Sequence, residues 1–231
     1  MSFLIDSLLS ALKLMAALDA ALIDIVTVSL KVSVSSTLIA SLIGVPAGFI
    51  ISTNEIPFKR SIITILNTLL ALPTVVIGLF VYAFISRNSV FGTYDLLYTQ
   101  QAIIIGQSIL IIPIVTVFTL SAINRIDRRY RKTALTLGAN QVQTALIVLV
   151  EARFGITASI VAAFGRVISE IGISMMLGGN IRGFTRTMTT AMALQYDKGE
   201  FILAVALGII LLSISLFVNI LLNYFQGKTS E

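Results

Sequence analysis

The chain has 231 residues, 57% of them hydrophobic and 12% charged. A soluble domain carries roughly 25% charged residues, so composition places this chain in the membrane class and leaves no room for a separate soluble catalytic domain. The formal net charge of +5 comes from 16 Lys and Arg against 11 Asp and Glu, and it reads as cytoplasmic loop charge rather than as a nucleic-acid footprint. With no Cys and no His, disulfides, thiol redox chemistry, the usual zinc ligands and the common nucleophile–base pairs are excluded.

In chain order, residues 1–24 come first. Asp6, Ser10, Lys13 and Asp24 follow helical spacing, with Ala17 and Ala20 in the same stripe, opposite Phe3, Leu4, Leu8, Leu12, Met15, Leu18 and Leu22. One polar stripe predicts a helix lying in the membrane interface rather than a sixth span. No basic leader precedes its apolar run and Asp6 sits early in it, so it does not read as a cleaved signal peptide. Five segments reach the roughly 20 apolar residues a span needs: 25–51, 61–86, 101–123, 155–177 and 201–225. Lys31, early in the first, is placed to snorkel to the interface. Pro73 and Pro113 predict kinks inside their spans, Pro46 sits near the end of its span, and Pro57 marks the following turn. The predicted fold is an all-α integral membrane protein with five core transmembrane helices and an N-terminal interfacial helix. The domains are 1–24, a transmembrane body over 25–225 that includes the loop 124–153, and a tail over 226–231.

Basic residues orient the spans. Lys59, Arg60, six Lys or Arg in the loop 124–153 and Lys228 make nine on one side; Arg87, Arg182, Arg186, Lys198 and Lys13 make five on the other. The larger set belongs in the cytoplasm, with the C-terminus. Five spans then put the N-terminus outside.

Between Arg125 and Glu151 a basic, amphipathic stretch interrupts the apolar spans; five of the 16 Lys and Arg fall between Arg125 and Lys132. Residues 125–137 are predicted as a helix with Ala134, Leu135 and Leu137 as its apolar residues. Gly138 suits the left-handed position that ends a helix, and Asn140 caps a second over 141–150. The pair reads as a cytoplasmic helix-turn-helix that docks a partner; the plainer alternative is a loop laying its cations on lipid phosphates.

Two constellations follow. Arg166 and Glu170 stand four apart deep in a span, where charges are costly and pair or line a cavity; a packing lock and a share in a translocation path both stay open. In the outer loop, Arg182 and Arg186 lie among Thr185, Thr187, Thr189 and Thr190, after Gly178 and Gly179. Guanidinium groups with hydroxyls suit a tetrahedral oxyanion, and equally an acidic patch on a partner protein. The chain has no H-E-x-x-H, no G-x-S-x-G and no G-x-x-x-x-G-K-[ST] phosphate loop, so no catalytic residue is named and any ATP is handled by another chain.

The docking stretch resembles the cytoplasmic loop of ABC importer permeases, Glu-Ala-Ala, three residues, Gly, nine residues, then Ile-x-Leu-Pro. Here it reads Lys132-Thr133-Ala134, three residues, Gly138, nine residues, then Val148-Leu149-Val150-Glu151; Ala134, Gly138 and the spacing are kept, while the first Glu and Ala and the last Pro are not. Ser29 to Gly48, Leu70 to Pro73 and Gly165 to Gly172 are similar to core spans of molybdate and sulfate permeases. Gly178 to Thr190 resembles the tungstate-type permeases, and the resemblance covers about 25–225. It implies a homodimer in lipid, coupled through Thr133, Ala134, Gly138 and Ala139 to a cytoplasmic ABC ATPase, and fed at its outer face by an oxyanion-binding protein. Arg182, Thr185, Arg186, Thr187 and Thr189 would meet the anion or that protein. ATP would sit on the partner subunit and no cofactor or metal on this chain. Tungstate is the first expected substrate, with molybdate or sulfate as alternatives. A free-standing secondary anion transporter, from a different class, leaves the docking stretch unexplained, and the chain shows no inverted repeat. A membrane anchor recruiting a soluble partner would leave transport indifferent to Arg166 or Arg182.

Overall fold

The computed structural model describes residues 9, 12, 13, 16, 17 and 19–227; the interfacial helix expected over 1–24 and the tail over 226–231 fall largely outside them. Described residues other than loops are helical. The first long helix, α1 (Ala20–Thr53), begins five residues before the expected span because Asp19 caps it, its carboxylate accepting the Leu22 N–H at 3.1 Å. At 34 residues it is about 51 Å long, well beyond a hydrocarbon core of about 30 Å. There follow α2 (Lys59–Leu70), α3 (Thr74–Ile85), a short 3-10 turn (Gly92–Tyr94), α4 (Gln100–Asn124), α5 (Arg128–Thr136), α6 (Gln141–Glu151), α7 (Arg153–Ile168), α8 (Gly172–Gly178), α9 (Met188–Lys198) and α10 (Phe201–Gly227).

Two expected spans prove broken. Segment 61–86 is α2 and α3, set at 101° to one another across 71–73. Pro73 does more than kink a helix: lacking an N–H, it takes an extended conformation and starts α3 as its N-cap. Helix α2 carries Lys59, Arg60, Asn67 and Thr68 and buries none of its residues. Segment 155–177 is α7 and α8. At the break the Ser169 hydroxyl donates back to the Gly165 and Arg166 carbonyls, and the Glu170 carboxylate takes the Ile173 N–H, so side chains compete with the helical ladder at that point. Pro46 and Pro113 lie inside continuous helices.

Among the described residues, α1, α4 and α10 are each long and apolar enough to cross a membrane. Counting the bent pairs α2–α3 and α6–α7 as one span each raises the total to five by length and composition. Helix α4 is central: 61% of its most apolar stretch is buried, against 11% for α10, which lies at the periphery. Lipid tails offer no hydrophobic drive for helices to pack on one another, so close backbone approach must supply the contact. On α1 that approach is made by Gly44 and Gly48, where an added Cβ would stand 2.9 Å from Val115 Cβ and 2.6 Å from the Thr116 carbonyl oxygen of α4.

Candidate functional site

The candidate residues collect at two ends and one middle level of the α1–α4 pair. At one end lies the loop between α8 and α9. The Ser29 hydroxyl near the start of α1 accepts the Met188 N–H at 2.6 Å, and the Gln100 amide at the start of α4 donates to the Phe184 carbonyl at 2.6 Å. At the other end lies the α5–α6 hairpin, where Arg131 reaches the Thr53 carbonyl at 3.5 Å and Phe49 packs on a cluster containing Val148. Ser29 and Thr53 are about 36 Å apart along α1. The two sites therefore face opposite sides of the helical body.

In the loop, the threonines hold the loop itself. Thr185, Thr187, Thr189 and Thr190 are all buried. Thr185 donates to the Gly178 carbonyl at 2.5 Å and accepts the Ile181 N–H at 3.0 Å. Thr187 and Thr190 form a reciprocal capping box at the start of α9, and Thr189 donates to the Glu170 carbonyl at 2.8 Å. Arg186 is half-buried and tied to Asn180 through Nε to the side-chain oxygen at 3.1 Å and Nη2 to the carbonyl at 3.2 Å. Arg182 is exposed. Of the five loop residues singled out by sequence, the structure brings Thr187 and Thr189 into direct contact, their hydroxyls 3.0 Å apart, and leaves Arg182 open.

At the middle level, Arg166 lies in the last turn of α7 and its Nη1 donates to Glu170 Oε2 at 2.7 Å. Helical spacing suggests a pair on one continuous helix; instead Glu170 stands in the break, 3% exposed. The two broken segments meet here, since a Cβ on Gly172 would lie 2.9 Å from Thr74 Oγ1 and 3.3 Å from Glu170 Oε1. Sequence reasoning passed over Gln107. Buried in α4, it accepts from the Ser36 hydroxyl at 3.0 Å and donates to the Val167 carbonyl at 3.4 Å, so it links α1, α4 and the end of α7. Its signal was an amide inside an otherwise apolar run, the kind of residue a lipid-facing helix does not keep.

The hairpin is built by local chemistry. Asp127 accepts the Arg129 N–H at 2.8 Å and caps α5. Gly138 takes φ +86° between the helices, and Asn140 with Gln143 forms a capping box on α6. Thr133 and Gly138 are exposed, Ala139 is half-buried and Ala134 is 5% exposed. Leu137 and Val142, flanking the turn, are 82% and 69% exposed. The charge of Glu151 and its hydrogen bond to Tyr130 raise that phenol above its ordinary value of 10.0. Lys59 donates to the carbonyls of Ser52 and Asn54, both at 3.1 Å, which places a cation at the negative end of α1.

The chain is 36% identical over 213 residues to a probable anion ABC transporter permease protein of Haloferax volcanii, covering 90% of this chain and 92% of the relative. It is 32% identical to the tungstate uptake system permease protein TupB of Peptoclostridium acidaminophilum, over 99% and 100% of the two chains. The fold is shared with the inward-facing methionine ABC transporter at a TM-score of 0.70 and 16% identity, covering 88% and 94%. Residues 41–231 match the family described as binding-protein-dependent transport system inner membrane component, and the chain belongs to that family as an ABC importer permease.

Proposed function

We propose that this permease carries a tetrahedral oxyanion into the cell, tungstate ahead of molybdate or sulfate, as a homodimer driven by a separate ATPase that docks on the α5–α6 hairpin. The hairpin carries this reading. It is a capped pair of helices with a cationic flank and an exposed apolar turn, set between membrane helices. An apolar turn left open in water marks a protein contact. The choice of tungstate is supported by the likeness to the tungstate uptake permease over nearly the whole chain.

In this reading the hairpin and the C-terminus face the cytoplasm, five membrane segments form the body, and the α8–α9 loop faces outward. Thr133, Ala134, Gly138 and Ala139 form the coupling contact. Arg182, exposed while Arg186 is held by Asn180, is the loop's contact for the binding protein or its anion. Thr185, Thr187 and Thr189 serve by fixing the loop that presents it.

Gly138→Pro tests the coupling. Proline demands φ near −65° where the turn has +86°, while the space around the glycine is open, so the damage is confined to the turn. The expected result is normal membrane insertion with loss of ATPase copurification. Unchanged copurification and uptake would remove the hairpin from the mechanism.

A further inference from the structure

We propose that Arg166, oriented by Glu170, is the point at which the transported anion touches protein inside the membrane, an inference that rests on the oxyanion-importer reading. Depth comes first. The residue after Arg166 offers its carbonyl to Gln107, which also binds Ser36. Ser36 and Gln107 each stand 17 residues before the hairpin ends of their helices, Thr53 and Asn124, or about 25 Å. With a hydrocarbon core of about 30 Å, Arg166 lies within the bilayer and far from the hairpin.

The pair is asymmetric. Glu170 has a side chain 3% exposed and uses both oxygens, Oε2 on Arg166 and Oε1 on the Ile173 N–H at 3.3 Å. Arg166 has a side chain 41% exposed, and among the described residues Glu170 is the one hydrogen-bond partner of its guanidinium. A guanidinium has five N–H donors in a rigid fork, so most stay unspent. Leaving them against hydrocarbon is costly; the exposed side must face water or the second copy of the chain. This chain does not close that side: at Gly165 the space a Cβ would enter is open to 4 Å, and Ser169 is exposed.

The chemistry follows from the asymmetry. The fork matches two oxygens of a tetrahedral oxyanion. The buried carboxylate behind it fixes the fork's direction and weakens the attraction by cancelling the site's net charge. A conduction site needs that compromise, binding well enough to admit the ion and weakly enough to release it. Glu170 repels the anion less than an exposed carboxylate would, because the guanidinium stands between them.

Removing Arg166 alone would strand a buried carboxylate, so the test uses the double variant Arg166→Gln with Glu170→Gln, reconstituted in vesicles with the ATPase and binding protein. If the pair only locks packing, neutralising both partners restores wild-type uptake, and the proposal is overturned. The expected result is normal assembly with tungstate uptake below saturation reduced roughly tenfold or more, the worth of a charge-assisted hydrogen bond. The chain has no cysteine, so Arg166→Cys in the Glu170→Gln background offers a single thiol. It should react with a water-soluble cationic methanethiosulfonate, read by mass on this chain. An inert thiol would show that this position faces no aqueous path and overturns the proposal even if uptake falls. Wild-type vesicles that fail to take up any oxyanion would defeat the importer reading instead.

Discussion

At the scale of residues, the buried polar groups decide where the chain bends and what stays fixed. Thr189 donates to the carbonyl of Glu170 in the α7–α8 break, a carbonyl no helix can serve. Thr189→Val should leave it unpaired and cost about 1–3 kcal/mol, read as a lower unfolding temperature in detergent; an unchanged midpoint would show the break is held elsewhere. Tyr130 gives a signature of the hairpin. Its folded pKa is raised by Glu151, so the contact is complete below the unfolded value near 10 and is lost as pH rises through the folded value. The difference in ultraviolet titration between the wild type and Tyr130→Phe should show a phenol ionising later than free tyrosine, and Glu151→Gln should shorten the delay. The loop threonines mark the limit of residue-level reading. Their composition suggested an anion cradle, but hydroxyls near backbone breaks are first claimed by caps and orphan carbonyls, and a sequence does not show which carbonyls are orphaned.

At the scale of elements, the turn of the hairpin was legible because its determinants are local: a glycine in a left-handed turn and an Asn cap act within a few residues; the first helix begins at Arg128 rather than at 125 because Asp127 caps it. The ends of α4 and α10 were legible for a similar reason, since apolar runs stop where polar residues begin. The breaks at 71–73 and 169–171 were not, because a proline or a glutamate inside a span either kinks or severs it depending on the helices packed around it. The α1–α4 seam makes a sharper claim. At Gly48 an added Cβ would meet the Thr116 carbonyl oxygen at 2.6 Å, a backbone atom that cannot yield, whereas at Gly208 it would meet only Met192 Sδ at 3.7 Å. Gly48→Ala should therefore destabilise the fold by about 1–3 kcal/mol, and Gly208→Ala should be neutral or stabilising by up to about 1 kcal/mol. Equal effects on thermal unfolding would contradict the close approach.

At the scale of the whole molecule, a membrane body carries a rigid loop at one end and a basic, apolar-tipped hairpin at the other, with a charged pair at a break between them. Composition placed the chain in the membrane from its low share of charged residues beside a high apolar share. Charge asymmetry had already set the loop and the hairpin on opposite sides; the contacts that anchor them to α1 came only with the fold, because Ser29 and Met188, or Arg131 and Thr53, are brought together from distant parts of the sequence. An energy-coupled importer requires these ends to act in concert with two other proteins. The direct test is uptake of tungstate, molybdate and sulfate into vesicles holding this chain, with and without the ATPase and the binding protein. ATP-dependent uptake that needs all three parts and prefers tungstate is the predicted result. Uptake by this chain alone, driven by an ion gradient, would contradict the account.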